Sequence, residues 1–203
     1  ILSFAVPLWN DMMNDKTIAD IKKDAASDKG LEIHILAKQF DWNARYAGPD
    51  KVYSLQSIQF AHKSNNPFGL DFADPNNDDV TVLGAKSKAN AIMVPWGTPV
   101  ALKITSMDVI HSFKVLPLRV CKDAIPGLQL PIHFEVKPNL LGPNLTKGSE
   151  FVYLITCAQL CGDGHGYMNG YLKVVSPVAF QQWLSKESKS QSEKRRGNNL
   201  VAK

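Results

Sequence analysis

The spacing of hydrophobic residues changes twice along the chain. Residues 11–30 (DMMNDKTIADIKKDAASDKG) are polar, with Met12, Met13, Ile18 and Ile21 at loose helical spacing and Gly30 as a stop, which predicts a short helix or linker. From Leu31 the pattern becomes an alternation of β-branched and aromatic residues. LEIHILAKQFDWNARY predicts a strand that ends near Tyr46, closed by the turn AGPD. Further short strands are predicted over 79–83, 91–94, 100–105, 113–115, 132–136, 151–156 and 170–175, separated by turn-rich pieces such as VPWGTP, DAIPG and KPNLLGPN. Residues 62–79, dense in Asn, Asp, Pro and Gly, read as a long surface loop. Many short strands with such punctuation make an all-β, antiparallel sandwich or barrel. After Ser176-Pro177 the period returns to helical, with Phe180, Trp183 and Leu184 at i, i+3 and i+4, and beyond Lys189 the composition predicts a disordered tail. Three units follow: 1–30 as a leading segment and linker, 31–176 as the folded body, and 177–203 as a helix with a basic tail.

Composition narrows the class. A length of 203 residues allows one domain with extensions. The net charge of +4 resides in the tail: residues 177–203 carry 6 basic and 2 acidic side chains, whereas 31–176 carry 13 and 12. A near-neutral body is wrong for a DNA-binding domain, and the tail reads as solvated. Ile1–Asn10 is uncharged but too short to span a bilayer, and the start at Ile1 without a methionine predicts a processed or truncated product. The three cysteines form no disulfide framework; Cys121 stands alone and is expected to be a small buried or half-buried thiol. There is no C-x-x-C-H, so no covalently attached c-type haem is expected.

One stretch carries chemistry. Cys157-Ala-Gln-Leu-Cys161-Gly-Asp-Gly-His165-Gly-Tyr-Met168 places two thiols, an imidazole and a thioether within twelve residues, between the strands predicted over 151–156 and 170–175. Thiolate, imidazole and thioether together select copper, whereas zinc has no use for Met. Glycines at 162, 164, 166 and 170 let the backbone turn tightly around an ion. One loop supplies only part of a coordination sphere. His111, just beyond the strand predicted over 100–105, is the best candidate for a second imidazole. His34 and His133 alternate with apolar residues as face residues, and His62 sits at a loop edge.

With this loop, DVIHSF (108–113), DAIPG (123–127), Gln39-Phe-Asp-Trp42 with Arg45-Tyr46, and VPWGTPV (94–100), the sequence resembles the copper domain of cytochrome c oxidase subunit II over about residues 31–176. Ile1–Met13, with Pro7, resembles the end of that family's second membrane helix. The resemblance implies a cupredoxin-like β-sandwich on the outer side of an energy-transducing membrane, bacterial or mitochondrial. It also implies a dinuclear CuA centre: Cys157 and Cys161 bridging two copper ions, His111 on one copper and His165 on the other, with Met168 and the backbone carbonyl of Gln159 as weak axial ligands. Electrons would pass from cytochrome c to haem a in subunit I. The acidic loop of Asp71, Asp74, Asp78 and Asp79 could steer a basic carrier, or could equally be a solvated loop with no such role.

Departures from the family pattern matter too. Gln159 stands where the family usually has Glu, and a neutral amide is a poorer ligand for magnesium or manganese, which argues against that site at the subunit I boundary although Asp123 is present. The family's surface tryptophan, where electrons enter, aligns with Phe40, with Trp42 two positions on; either could serve, and both could equally be strand packing. The alternatives in function are the CuA domain of a nitric oxide or nitrous oxide reductase, and a copper carrier.

Overall fold

The structure is a computed structural model that describes residues 2–13, 19–21, 23, 29–74 and 77–201. The linker expected over 11–30 falls largely outside those residues. Helix α1 (Leu2–Met13) carries Pro7 in its interior and exposes Leu2, Phe4, Val6, Leu8 and Trp9. Among the described residues no helix is long and apolar enough to cross a membrane.

Among the described residues, ten strands form two five-stranded sheets. The first has the order β3 (Val80–Val82), β2 (Asp41–Tyr46), β1 (Leu31–Lys38), β5 (Pro99–Ser106), β8 (Leu130–Glu135). The second has the order β4 (Ile92–Pro95), β10 (Asn169–Val175), β9 (Phe151–Cys157), β6 (His111–Val115), β7 (Val120–Ala124). The alternation in sequence produces this sandwich directly. Ile33, Ile35 and Ala37 of β1, Trp42, Ala44 and Tyr46 of β2, and Val100, Leu102 and Ile104 of β5 bury one face against Phe113, Val115, Ile155, Leu172 and Val174 of the second sheet.

Three features of the strands differ from the sequence reading. The single strand expected over 31–46 is a hairpin, because the chain reverses at Gln39-Phe40 and pairs Lys38 with Asp41 through to Ile33 with Tyr46. The sheets are not wholly antiparallel: β1 runs parallel to β5, and β10 runs parallel to β4. Strand β7 has no strong apolar alternation, since it is an edge strand exposing Cys121 and Asp123; Cys121 is therefore exposed rather than buried.

Helix α2 (Pro177–Val201) begins at Ser176, whose hydroxyl accepts the Ala179 N–H at 3.2 Å. Phe180 and Trp183 pack on Tyr46 with ring centroids 6.1 and 5.2 Å away. The helix continues past Lys189, where the composition predicts a tail. Gln191 accepts from the Thr81 N–H at 3.0 Å and donates to the Thr81 carbonyl at 3.0 Å, and Arg195 donates to Asn77 Oδ1 at 2.8 Å. These polar contacts, invisible to hydrophobic periodicity, hold it to the body.

The loop expected to present four free carboxylates is also different. Asp79 is fully buried against Arg45, N–H to carboxylate 2.5 Å, so it is no part of an acidic docking surface. Burial, and then the neighbouring Asp50 carboxylate, raises the Asp78 carboxyl to about 6.

Candidate metal centre

Three segments meet at one end of the sandwich: the loop between β9 and β10, the start of β6, and the β1–β2 turn. Strand β9 ends on Cys157, which pairs with Phe113 of β6, and the Ala158 N–H donates to the Ser112 carbonyl at 2.9 Å. That register brings His111, the first residue of β6, beside the loop. The loop then turns at Gly162, whose φ of +125° only glycine adopts without strain, and closes in a short 3-10 turn over His165–Tyr167. Its carbonyls at Gly162, Gly164 and His165 accept from His165, Tyr167 and Met168 at 3.0, 3.0 and 3.2 Å.

The donor atoms converge. Cys157 Sγ lies 3.7 Å from Cys161 Sγ, 4.0 Å from His111 Nδ1 and 3.1 Å from the Gln159 carbonyl oxygen. Cys161 Sγ lies 3.6 Å from His165 Nδ1 and 3.7 Å from Met168 Sδ. Two donors bound to one ion at about 2.0–2.3 Å in a tetrahedral arrangement sit roughly 3.3–3.8 Å apart, so this set fits a soft metal ion. His111, Cys157 and Cys161 offer ligand atoms that all lie within 4.8 Å of one another.

Groups behind the donors aim them. His111 Nε2 donates to Asp108 Oδ1 at 2.8 Å, which leaves Nδ1 as a lone pair facing Cys157. Burial opposes ionisation of Asp108, but the N–H groups of Gln39 and Val109 and the His111 ring outweigh it and hold the carboxyl below its usual value. Burial, followed by the Cys157 thiol beside it, pushes the Cys161 thiol up to about 11, so an ion that binds there displaces a proton. Trp42 is fully buried; its indole N–H points to the Met168 carbonyl at 3.4 Å, and its ring stands edge-on to His111 and Phe113 at 6.2 and 5.2 Å.

The structure therefore brings His111, Cys157, Gln159, Cys161, His165 and Met168 together. Phe40 lies half-buried over the loop: a Cβ on Gly164 would sit 2.4 Å from its ring. Trp42 has no surface and cannot touch an external partner, which is a correction to its candidacy as the residue where electrons enter. Asp123 is exposed on the β7 edge, paired with Ser112. His34 bonds Glu32 at 2.8 Å and stacks on Tyr53, outside the centre. Sequence reasoning misses Asp108 and Gln39. The D-x-x-H spacing of Asp108 and His111 is a readable signal, whereas the contact of Gln39 with a loop 122 positions away leaves none.

Fold and donor set together define a cupredoxin-like domain with a candidate soft-metal centre at the loop end. The chain belongs to the cytochrome c oxidase subunit II family: the family model "Cytochrome C oxidase subunit II, periplasmic domain" matches residues 33–175. It is 34% identical over 190 residues to the probable cytochrome c oxidase subunit 2 of Rickettsia prowazekii, covering 94% of this chain and 50% of that protein. It is 27% identical over 156 residues to the alternative cytochrome c oxidase subunit 2 of Bradyrhizobium diazoefficiens, covering 77% of this chain and 50% of that one. The chain thus spans about half the length of these curated relatives. Among solved structures, the periplasmic domain of subunit II of cytochrome oxidase (CoxB) of Bradyrhizobium japonicum shares the fold, with a TM-score of 0.51 at 24% identity over 79% of this chain and 94% of that one. The family places the domain on the outer side of its membrane.

Proposed function

We propose that this domain relays single electrons through a dinuclear copper centre of the CuA type, within an oxygen-reducing cytochrome c oxidase. One observation carries the reading: each thiol has its own imidazole neighbour, His111 for Cys157 and His165 for Cys161, while the two sulfurs lie 3.7 Å apart. In this assignment Cys157 and Cys161 would hold the copper ions with their thiolates, His111 and His165 would each add an imidazole, and Met168 and the Gln159 carbonyl would be weaker donors. Two copper ions bound there supply a one-electron couple. The chain's part is to keep the donors still. Asp108 fixes the His111 ring, the sheet register fixes Cys157, and the buried Met168 is held between Trp42 and Cys161. A site whose ligands do not move on reduction exchanges electrons with little reorganisation.

Cytochrome c is the proposed donor and haem a in subunit I the acceptor; oxygen reduction and proton pumping belong to the whole complex. Phe40, half-buried over the loop that also carries the exposed Leu160 and Tyr167, is the proposed point where electrons enter. Asp123 is assigned to the subunit I boundary, where the neutral Gln159 amide would be a poorer magnesium ligand than a carboxylate.

Copper analysis with electron paramagnetic resonance on the loaded domain tests this. Two coppers per chain, with hyperfine splitting shared by two nuclei, are expected. One copper with a single-nucleus pattern would overturn the CuA reading in favour of a mononuclear site or a copper carrier. Co-purification with a haem a protein separates an oxidase from a nitric oxide or nitrous oxide reductase.

A further inference from the structure

We infer that Gln39, which is outside the ligand set, is a positioning residue that ties the two halves of the metal centre together. The inference rests on the copper reading above. Gln39 sits at the β1–β2 turn and is itself exposed, so it adds nothing to the core. It nevertheless makes two well-formed bonds, each ending one step from a donor atom. Its main-chain N–H donates to Asp108 Oδ2 at 2.8 Å, and the other oxygen of that carboxylate takes the His111 Nε2 hydrogen bond, also at 2.8 Å. Its side-chain amide donates to the Cys161 carbonyl at 2.8 Å.

The first bond sets the carboxylate, the carboxylate sets the plane of the His111 ring, and the ring plane sets the direction of the Nδ1 lone pair. The second bond sets the main chain from which Cys161 Sγ projects toward Cys157, His165 and Met168. One residue thus couples the strand that carries the first imidazole to the loop that carries the second thiol. The loop is shaped to receive it. A Cβ on Gly162 would lie 3.0 Å from Gln39 Nε2 and 3.3 Å from the Phe40 ring, so glycine at 162 lets the turn lie down on the loop. With the side-chain bond removed, Cys161 is free to shift relative to His111 while every ligand remains in place.

The test uses the full chain loaded with copper, and compares Gln39→Leu, Gln39→His and Ser176→Ala. Gln39→Leu removes the side-chain donor and keeps the main-chain N–H. Gln39→His restores a neutral donor of similar reach. Ser176→Ala loses a helix cap far from the centre, as a control for general loosening. The readouts are the rate of copper loss to a chelator, the electron paramagnetic resonance spectrum, and the melting temperature of the ion-free protein. Expected is a rate about tenfold or more above wild type for Gln39→Leu. Its hyperfine pattern should change while its melting temperature falls by no more than about 4 °C. Gln39→His should return close to wild type, and Ser176→Ala should melt lower yet keep wild-type copper. A wild-type rate and spectrum in Gln39→Leu, or equal acceleration in Ser176→Ala, would overturn the role of Gln39 and leave the copper reading standing. Failure of the wild-type chain to take up copper would overturn both.

Discussion

Two buried polar clusters sit toward the two ends of β2, and they are built on opposite rules. Around Arg45 each guanidinium nitrogen has a partner: the group donates to Asp79, to Gln56 and to the Ser54 carbonyl, and lies 5.0 Å from the centre of the Tyr53 ring. Near Trp42 two thiols, two imidazoles and a thioether face one another at 3.6–4.0 Å without a strong hydrogen bond among them. The strong bonds there lie one layer out, at Asp108 and Gln39. A closed network serves the fold, because any broken partner leaves a buried charge. An open donor set keeps its lone pairs for an ion, and depends on the layer behind it for shape.

The largest expected effect breaks the closed cluster. Asp79→Ala leaves the buried Arg45 charge unpaired and should cost about 3–5 kcal/mol in denaturant unfolding. Copper bound to the protein that remains folded should keep its spectrum. A loss below about 1 kcal/mol would mean that water reaches Arg45 and that the cluster is not closed.

A smaller effect is expected at Glu32, in the neighbouring ion pairs. Burial alone would raise its carboxyl, but His34 and Lys103 outweigh burial and bring it down from 4.5 to about 2. The folded value lies below the unfolded one, so protonation favours the unfolded chain. The contribution is complete above about pH 4.5 and is lost as the pH falls toward about 2, amounting to at most about 2 kcal/mol after solvent screening. Unfolding free energies measured across that range should slope for wild type, and Glu32→Gln should flatten the slope.

The smallest effect on stability sharpens the contrast from the open side. Met168→Leu conserves volume and should change stability by less than about 1.5 kcal/mol. On the proposed CuA assignment it should keep both coppers, yet shift the reduction potential and unbalance the electron sharing between the two nuclei. A Met168→Leu centre with wild-type potential and spectrum would remove Met168 from the ligand set.

Much of the molecule is legible in its local sequence patterns. The alternation at Ile33, Ile35 and Ala37, the C-x₃-C-x₃-H-x₂-M spacing, and Phe180, Trp183 and Leu184 at helical intervals are local signals, and each leads to the element observed. The reversal at Gln39-Phe40 is not legible, because the residues on both sides suit a strand and the turn is made by pairing Lys38 with Asp41. The parallel pairing of β1 with β5 joins segments about 70 positions apart through chain that carries no periodic mark of it. The acidic loop misleads for a related reason: a charge count cannot tell Asp79, bound to Arg45 inside the protein, from a carboxylate in water.

By itself the sequence determined the family, the all-β class and the chemistry of the donors, since residue type and short-range spacing are properties of the chain alone. Tertiary structure brought His111 to Cys157 from 46 positions away, made Trp42 interior, and set Asp108 and Gln39 behind the ligands. Those outcomes depend on strand register and on how closely a turn can approach a glycine loop, and both arise only when distant segments pack.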